Sequence, residues 1–237
     1  DEVVEPPSFL NSRDADSANV EERFSGEPID HFDQDQLGID YQSLRIPIDD
    51  RRCSWYRGRG LSLRGQGPLT SNHHQSIIAR RIQSFNCEVE TAVSFAPENY
   101  HQMAGLTAFY DTSTHYYLYV SRDPSLGRCL KLLKLDRGVH TLYEDSAISL
   151  PETGRVRLGA KLNINTLQFR YSADQNDQWQ LIGPELDASI LSDDHLELGF
   201  TGAFFGMAVQ DLETYGAWAD FPYFKYKETP EEAVRET

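Results

Sequence analysis

Carboxylates are plentiful enough in this chain that hydrolytic chemistry is the first to look for. Asp193 and Asp194 stand side by side, and two carboxyls, one protonated and one ionised, are the minimal equipment for general acid and base catalysis. Successive residues, however, direct their side chains apart, and Ser192-Asp193-Asp194 has the composition of a turn, which is the preferred reading. His73-His74 offers metal or acid/base chemistry by residue type, but no Cys, Asp or Glu stands at ligand spacing from the pair, so these too read as polar turn residues. Cys53, Cys87 and Cys129 are odd in number and have no C-x-x-C spacing, which suggests neither a disulfide framework nor a zinc site.

Aromatic side chains are the other resource. Trp55, Tyr56, Tyr116, Tyr117, Trp218 and Tyr223 are candidates for a platform on which sugar rings stack, although core and edge packing explains most of them. Trp55-Tyr56 follows Asp49-Asp50-Arg51-Arg52 in a stretch that reads as a loop, so it is the pair expected to be exposed. Ser172-Ala173-Asp174-Gln175-Asn176-Asp177-Gln178-Trp179 resembles the Asp-box hairpin of sialidase-like propellers. As one copy it implies only a turn whose Asp and Asn side chains satisfy backbone N–H groups, with Trp179 packed beneath.

The elements that must position these residues are strands. Residues 85–95 hold a period of two, with Phe85, Cys87, Val89, Thr91, Val93 and Phe95 on one face and Glu88 and Glu90 on the other. Residues 61–65 and 75–80 flank the break at Gly67-Pro68. Residues 103–110 and 115–121 form a hairpin across Asp111-Thr112-Ser113-Thr114, and residues 130–135 follow. Residues 155–162 and 167–172 pair across Asn163-Ile164-Asn165-Thr166, residues 178–182 end at Gly183-Pro184, and residues 204–209 and 218–226 close the pattern. A short turn near residues 187–191 is the one plausible helix. This spacing of strands and turns predicts an all-β antiparallel sandwich, a jelly roll of concanavalin A-like type over residues 29–228. Residues 1–28, rich in Pro and acidic residues, read as an acidic linker or arm, and residues 229–237 as a polar tail.

Thirty-seven acidic against 22 basic residues give a net charge of −15, which argues against a nucleic-acid or anionic-membrane partner and leaves neutral sugars compatible. No apolar run approaches the ~20 residues of a membrane span. The odd cysteine count and the lack of a signal segment or N-x-S/T site point to the cytoplasm.

Six stretches carry a resemblance in order along the chain. They are His74-Gln75-Ser76-Ile77-Ile78-Ala79-Arg80-Arg81, Pro97-Glu98-Asn99-Tyr100-His101-Gln102-Met103-Ala104-Gly105-Leu106 and Tyr116-Tyr117-Leu118-Tyr119-Val120. Then come Leu186-Asp187-Ala188-Ser189-Ile190-Leu191-Ser192-Asp193-Asp194, Phe200-Thr201-Gly202-Ala203-Phe204-Phe205-Gly206-Met207 and Ala219-Asp220-Phe221-Pro222-Tyr223-Phe224-Lys225-Tyr226. Together they resemble the C-terminal β-sandwich domain of glycoside hydrolase family 43 β-xylosidases, with two departures: Pro222 stands where the family usually has an acidic residue, and the propeller that should precede the domain is missing from this sequence.

The resemblance implies an accessory domain that packs on a catalytic five-bladed propeller holding the three catalytic acids. The complete enzyme would remove xylose from the non-reducing end of xylooligosaccharides with inversion, and this chain alone would be catalytically silent. It further implies that Phe200 stands at the mouth of the partner's active site as a positioning wall; the plainer alternative is a core residue at a strand start. Arg80 would make an ion pair either to the propeller or within the sandwich. Asp33 and Asp220 are the natural pair for a structural calcium across the sheet ends, although no D-x-D-x-D-G loop supports it and ordinary carboxylates are the plainer reading. An exposed apolar face for the propeller, or its burial in a homo-oligomer, is expected. The competing functions are an independent lectin-like carbohydrate-binding module and a hydrolase active by itself, the latter in conflict with the lack of a catalytic constellation.

Overall fold

The computed structural model describes residues 29–34, 36–56, 60–173, 178–195 and 201–229. The acidic arm at 1–28, Phe200, the turn at 174–177 and the tail from 230 lie outside the described residues, as does the side chain of Tyr56.

Among the described residues seventeen strands follow one another with two short 3₁₀ turns. They are β1 (Ile29–Asp30), β2 (Tyr41–Gln42), β3 (Cys53–Tyr56), β4 (Gly60–Arg64), β5 (Ser76–Arg81) and β6 (Asn86–Ser94). Next come β7 (Gln102–Phe109), β8 (His115–Asp123), β9 (Gly127–Asp136), β10 (Val139–Leu142), β11 (Ile148–Ser149) and β12 (Arg155–Asn163). The last are β13 (Thr166–Ser172), β14 (Gln180–Asp187), β15 (Phe204–Asp211), β16 (Trp218–Phe221) and β17 (Phe224–Glu228), with 3₁₀ turns at Glu144–Ser146 and Ala188–Leu191. Their antiparallel pairings make two sheets. One runs β14-β13-β12-β6-β16-β4-β3, with β17 beside β6 and β1 beside β17; the other runs β10-β9-β8-β7-β15-β5-β2, with β11 on β9. The predicted sandwich is thus observed. Among the described residues no helix is long and apolar enough to cross a membrane.

Alternation puts Cys87, Val89 and Val93 of β6 and Val156, Leu158 and Ala160 of β12 against Leu106, Leu118 and Met207 from the facing sheet in a single core. The outward residues of β6 and β12 are charged and pair across the strands: Glu88 accepts from Arg170 at 3.0 Å and lies 3.7 Å from Lys161, and Glu90 lies 3.7 Å from Arg157. Trp179 sits on this face, with Arg157 and Arg170 at 4.7 and 4.6 Å from its ring.

The second sheet is apolar on both faces. Its back carries another cluster of Ile77, Ala79, Phe109, Tyr117, Tyr119 and Ala208. That is why β8 shows no clean alternation, since a strand buried on both sides reads as a continuous hydrophobic run. Tyr116 and Tyr117 are fully buried here, so they belong to the core and not to an exposed sugar-stacking platform. Tyr117 donates its hydroxyl to the Ala208 carbonyl at 2.8 Å.

Several local expectations change. The strand read from residue 85 begins at Asn86, and Phe85 points to solvent, 75% exposed, because it belongs to the turn that precedes β6. Gly183-Pro184 does not end a strand: β14 runs through it on a bulge, with Gly183 at φ +71°. The closing segment breaks at Pro222-Tyr223 into β16 and β17, both alongside β6, as proline's missing donor requires. Trp55 lies on β3 instead of in a loop; it packs partly buried against the core, its Nε1 enclosed.

Candidate functional site

At one end of the sandwich the chain leaves the 3₁₀ turn at Ala188–Leu191, passes through residues 192–202 and enters β15. Phe200 lies in this connection, and the geometry on either side of it defines the candidate site. Asp187 caps the 3₁₀ turn, its Oδ1 accepting from the Ser189 N–H at 2.9 Å. Asp193 follows, and its Oδ1 accepts from the Tyr110 hydroxyl at 2.6 Å and from the Gly202 N–H at 3.3 Å. One carboxylate therefore ties the outgoing chain to the incoming chain nine residues later. The Tyr110 hydrogen bond holds the Asp193 carboxyl below its usual range, and two backbone donors assist. Burial and Asp193 together raise the Tyr110 hydroxyl.

Two further ties hold the same connection. His195 Nε2 is 2.8 Å from Asp136 Oδ1, and Arg137 donates to the His195 carbonyl at 2.5 Å. Arg137 takes a positive φ at the β9–β10 hairpin, followed by Gly138, the pattern of a type I′ turn. Asp136 also pairs with Lys134 at 3.0 Å; burial alone would raise its carboxyl, but His195 and Lys134 bring it below the usual range. On the incoming side Arg81 donates to the Thr201 carbonyl, and its guanidinium lies 4.7 Å from the ring centre of Phe204. Gly202 takes φ +66°, a conformation that favours glycine, and a Cβ there would lie 2.8 Å from Arg81 Nη1, which would have to turn aside.

This root borders a pocket of about 230 Å³ on the back of the second sheet. Ile77, Ala79, Phe109 and Phe204 make its floor, and Arg45 and Thr201 stand at its rim. Among the described residues the arrangement has no nucleophile beside a base and no carboxyl pair free for acid/base work, since Asp193 is committed to its two donors. What it can do is fix Asp193, His195, Thr201 and Gly202, the described ends of the connection.

The residues singled out from the sequence are scattered. Asp193 and Asp194 are exposed, and Asp193 is structural in the turn. His73 and His74 lie exposed in a turn where Ser71 Oγ accepts from both backbone N–H groups. Arg80 faces between the sheets, 3.8 Å from Asp40 and 4.6 Å from the centre of the Tyr226 ring, so of its two expected ion pairs the structure supplies the one within the sandwich. Asp220 lies on β16, its Oδ1 accepting from Ser62 Oγ at 2.5 Å, while Asp33 is exposed. Among the described residues no three His, Cys, Asp or Glu side chains gather as a metal set, and two carboxylates, one already engaged, do not meet calcium's need for six to eight oxygens. All three cysteines are buried and unpaired.

Sequence reasoning missed Arg81, Tyr110, Asp136 and His195. Arg81 was within reach: alternation from Ile77 and Ala79 puts Arg81, and not Arg80, on the back face. The Asp136–His195 pair joins residues 59 apart and left no local signal.

Comparison with known proteins adds a family. Residues 29–227 match the β-xylosidase C-terminal concanavalin A-like domain. The chain is 39% identical over 204 residues to the β-xylosidase of Bacillus subtilis (strain 168), covering 84% of this chain and 38% of that protein. It is 37% identical over 199 residues to xylosidase/arabinosidase 43B of Humicola insolens, covering 81% of this chain and 37% of the other. Among solved structures it superposes on xylan β-1,4-xylosidase from Bacillus halodurans C-125 with a TM-score of 0.82 at 41% identity, covering 85% of this chain and 39% of that one. The chain thus spans little more than a third of the relatives it matches.

Proposed function

The chain belongs to the family of β-xylosidase C-terminal concanavalin A-like domains, and from that premise we propose that it completes a glycoside hydrolase family 43 enzyme by packing on a catalytic five-bladed propeller and narrowing its active-site mouth with Phe200. The observation that carries this reading is the double-ended clamp on the segment bearing Phe200, in which Asp193 spans to Gly202 and Arg81 holds Thr201. A wall can select an end sugar only if its position is fixed, and a fixed ring costs little entropy when substrate arrives.

In this reading the catalytic acids belong to the propeller, the substrate is a xylooligosaccharide, and xylose leaves from the non-reducing end with inversion at the anomeric carbon. Phe200 contributes no proton and no nucleophile. Its ring lies against the apolar face of the terminal sugar and limits the pocket to that sugar, so its effect is on binding and orientation. The buried, unpaired cysteines support a reducing compartment, the cytoplasm, as the setting.

The test is hydrolysis of a chromogenic β-xyloside by the purified chain alone, by the separately produced catalytic portion, and by the two mixed. We expect no turnover by this chain alone, turnover on mixing, and a rise in KM of roughly tenfold or more for Phe200→Ala in the mixture, the size expected for losing one aromatic contact. Turnover by the lone chain, or a Phe200→Ala mixture indistinguishable from the unsubstituted one, would overturn the reading.

A further inference from the structure

Phe85 and Ile164 are out of place for a folded domain. They are 75% and 55% exposed, and they are neighbours, since the Ile164 N–H donates to the Phe85 carbonyl at 2.7 Å. Ile164 sits in the hairpin turn between β12 and β13 at φ +52°, a conformation that suits Gly or Asn and that β-branched residues almost never adopt. Folding of this chain gains little from an isoleucine there: more than half of the residue is exposed and the backbone is strained.

The surroundings supply the reason. Phe85 and Ile164 border a cavity of about 350 Å³ walled by Leu162, Leu191, Ala203 and the root residues Asp193 and Gly202. Among the described residues Asp193 is its single charged lining residue, and that carboxylate is committed to Tyr110 and Gly202. In a chain of net charge −15, a mostly apolar cavity whose other polar lining residues, Gln83, Ser84, Asn165, Ser189 and Ser192, carry no charge, flanked by two exposed large hydrophobics, marks a contact surface. It lies beside Asp193 and Gly202, the residues that flank the Phe200 connection in the sequence.

We propose that Phe85, Ile164 and this cavity are the docking surface for the catalytic domain, an apolar side chain of which fills the cavity. The inference rests on the reading that the chain packs on such a domain. The occupant is chosen because the relatives carry more than half their length outside the region matched here, and because a partner that meets Phe200 meets the connection whose flanking residues, Asp193 and Gly202, line this cavity.

Ile164→Asn gives an unusual test, since its two expected effects have opposite signs. Asn accepts positive φ, so the substituted 237-residue chain should unfold at the same or a higher urea concentration than the original. Its affinity for the separately produced catalytic portion, measured by titration calorimetry, should fall at least tenfold, and Phe85→Ser should lower it similarly. A chain whose Ile164→Asn form binds as tightly as the original would overturn the proposal while leaving the accessory-domain reading intact. So would a self-associated chain that Ile164→Asn converts to monomer, because the surface would then belong to a second copy. If the original chain fails to bind the catalytic portion at all, both the inference and the reading beneath it fall.

Discussion

Arg128 shows how one side chain can hold two loops. It is 1% exposed, and its guanidinium bonds to backbone carbonyls. Its Nε donates to the Phe95 carbonyl at 2.9 Å, Nη1 to Pro151 at 2.8 Å and Nη2 to Gly154 at 2.9 Å, so one planar fork satisfies backbone acceptors in the connection after β6 and in the one between β11 and β12. Burial depresses the guanidinium's pKa, but the group stays charged. Arg128→Met would fill much of the volume and strand all three carbonyls, for which we expect a loss of about 3–5 kcal/mol by urea denaturation. A loss under about 1 kcal/mol would mean that water replaces the fork. None of this was legible in the sequence, where Gly127-Arg128-Cys129 looks like the polar start of a strand. The partners lie 23 to 33 residues away and are backbone atoms, which carry no residue-type signal.

At the scale of elements, the sequence pattern spoke clearly wherever one face of a strand met water. The period of two in β6 and β12 and the Asp111-Thr112-Ser113-Thr114 turn were readable because burial and side-chain hydrogen bonding are local consequences of composition. The turn forms as expected, with Asp111 Oδ1 accepting from the N–H groups of Ser113 and Thr114 at 2.7 and 2.8 Å. Legibility failed where tertiary contact overrode the local signal. Gly183-Pro184 has the composition of a stop, yet β14 continues, because the bulge lets Gly183 approach Leu132 of the facing sheet. A Cβ on Gly183 would lie 2.4 Å from Leu132 Cδ2, at a φ of +71°. Gly183→Ala is therefore expected to cost about 1–3 kcal/mol through clash and backbone strain together. An unchanged urea midpoint would show that Leu132 turns aside freely and that the glycine serves only the bend. The connection at 192–202 failed in another way: its composition announced a turn, but not which of its residues would bind across it.

For the molecule as a whole, the response to acid follows from which groups the fold shields. His115 at the start of β8 is 2% exposed and stacks on Phe109, its ring centre 5.4 Å away. Burial lowers its pKa from 6.5 to about 4, opposed in part by the Asp111 carbonyl. Below pH 6.5 the unfolded chain binds a proton that the folded chain refuses, so stability falls as pH drops from 6.5 towards 4, by up to about 3 kcal/mol, and the contribution of this group is flat above that window. A second stage begins lower. Asp211 is fully buried; burial alone would raise its carboxyl, but donors from Thr214, Gly216 and Ala217 pull it well below the usual range. Its contribution is complete above the unfolded value near 4 and is lost as pH falls further. The acid limb of stability should accordingly have two parts. His115→Gln, a neutral side chain that still reaches the Asp111 carbonyl, should flatten the part between pH 6.5 and 4 and leave the lower part in place. Urea midpoints at half-unit steps of pH would separate them; a His115→Gln chain that keeps the full slope above pH 4 would move the origin of the acid response from this buried imidazole to the many surface charges.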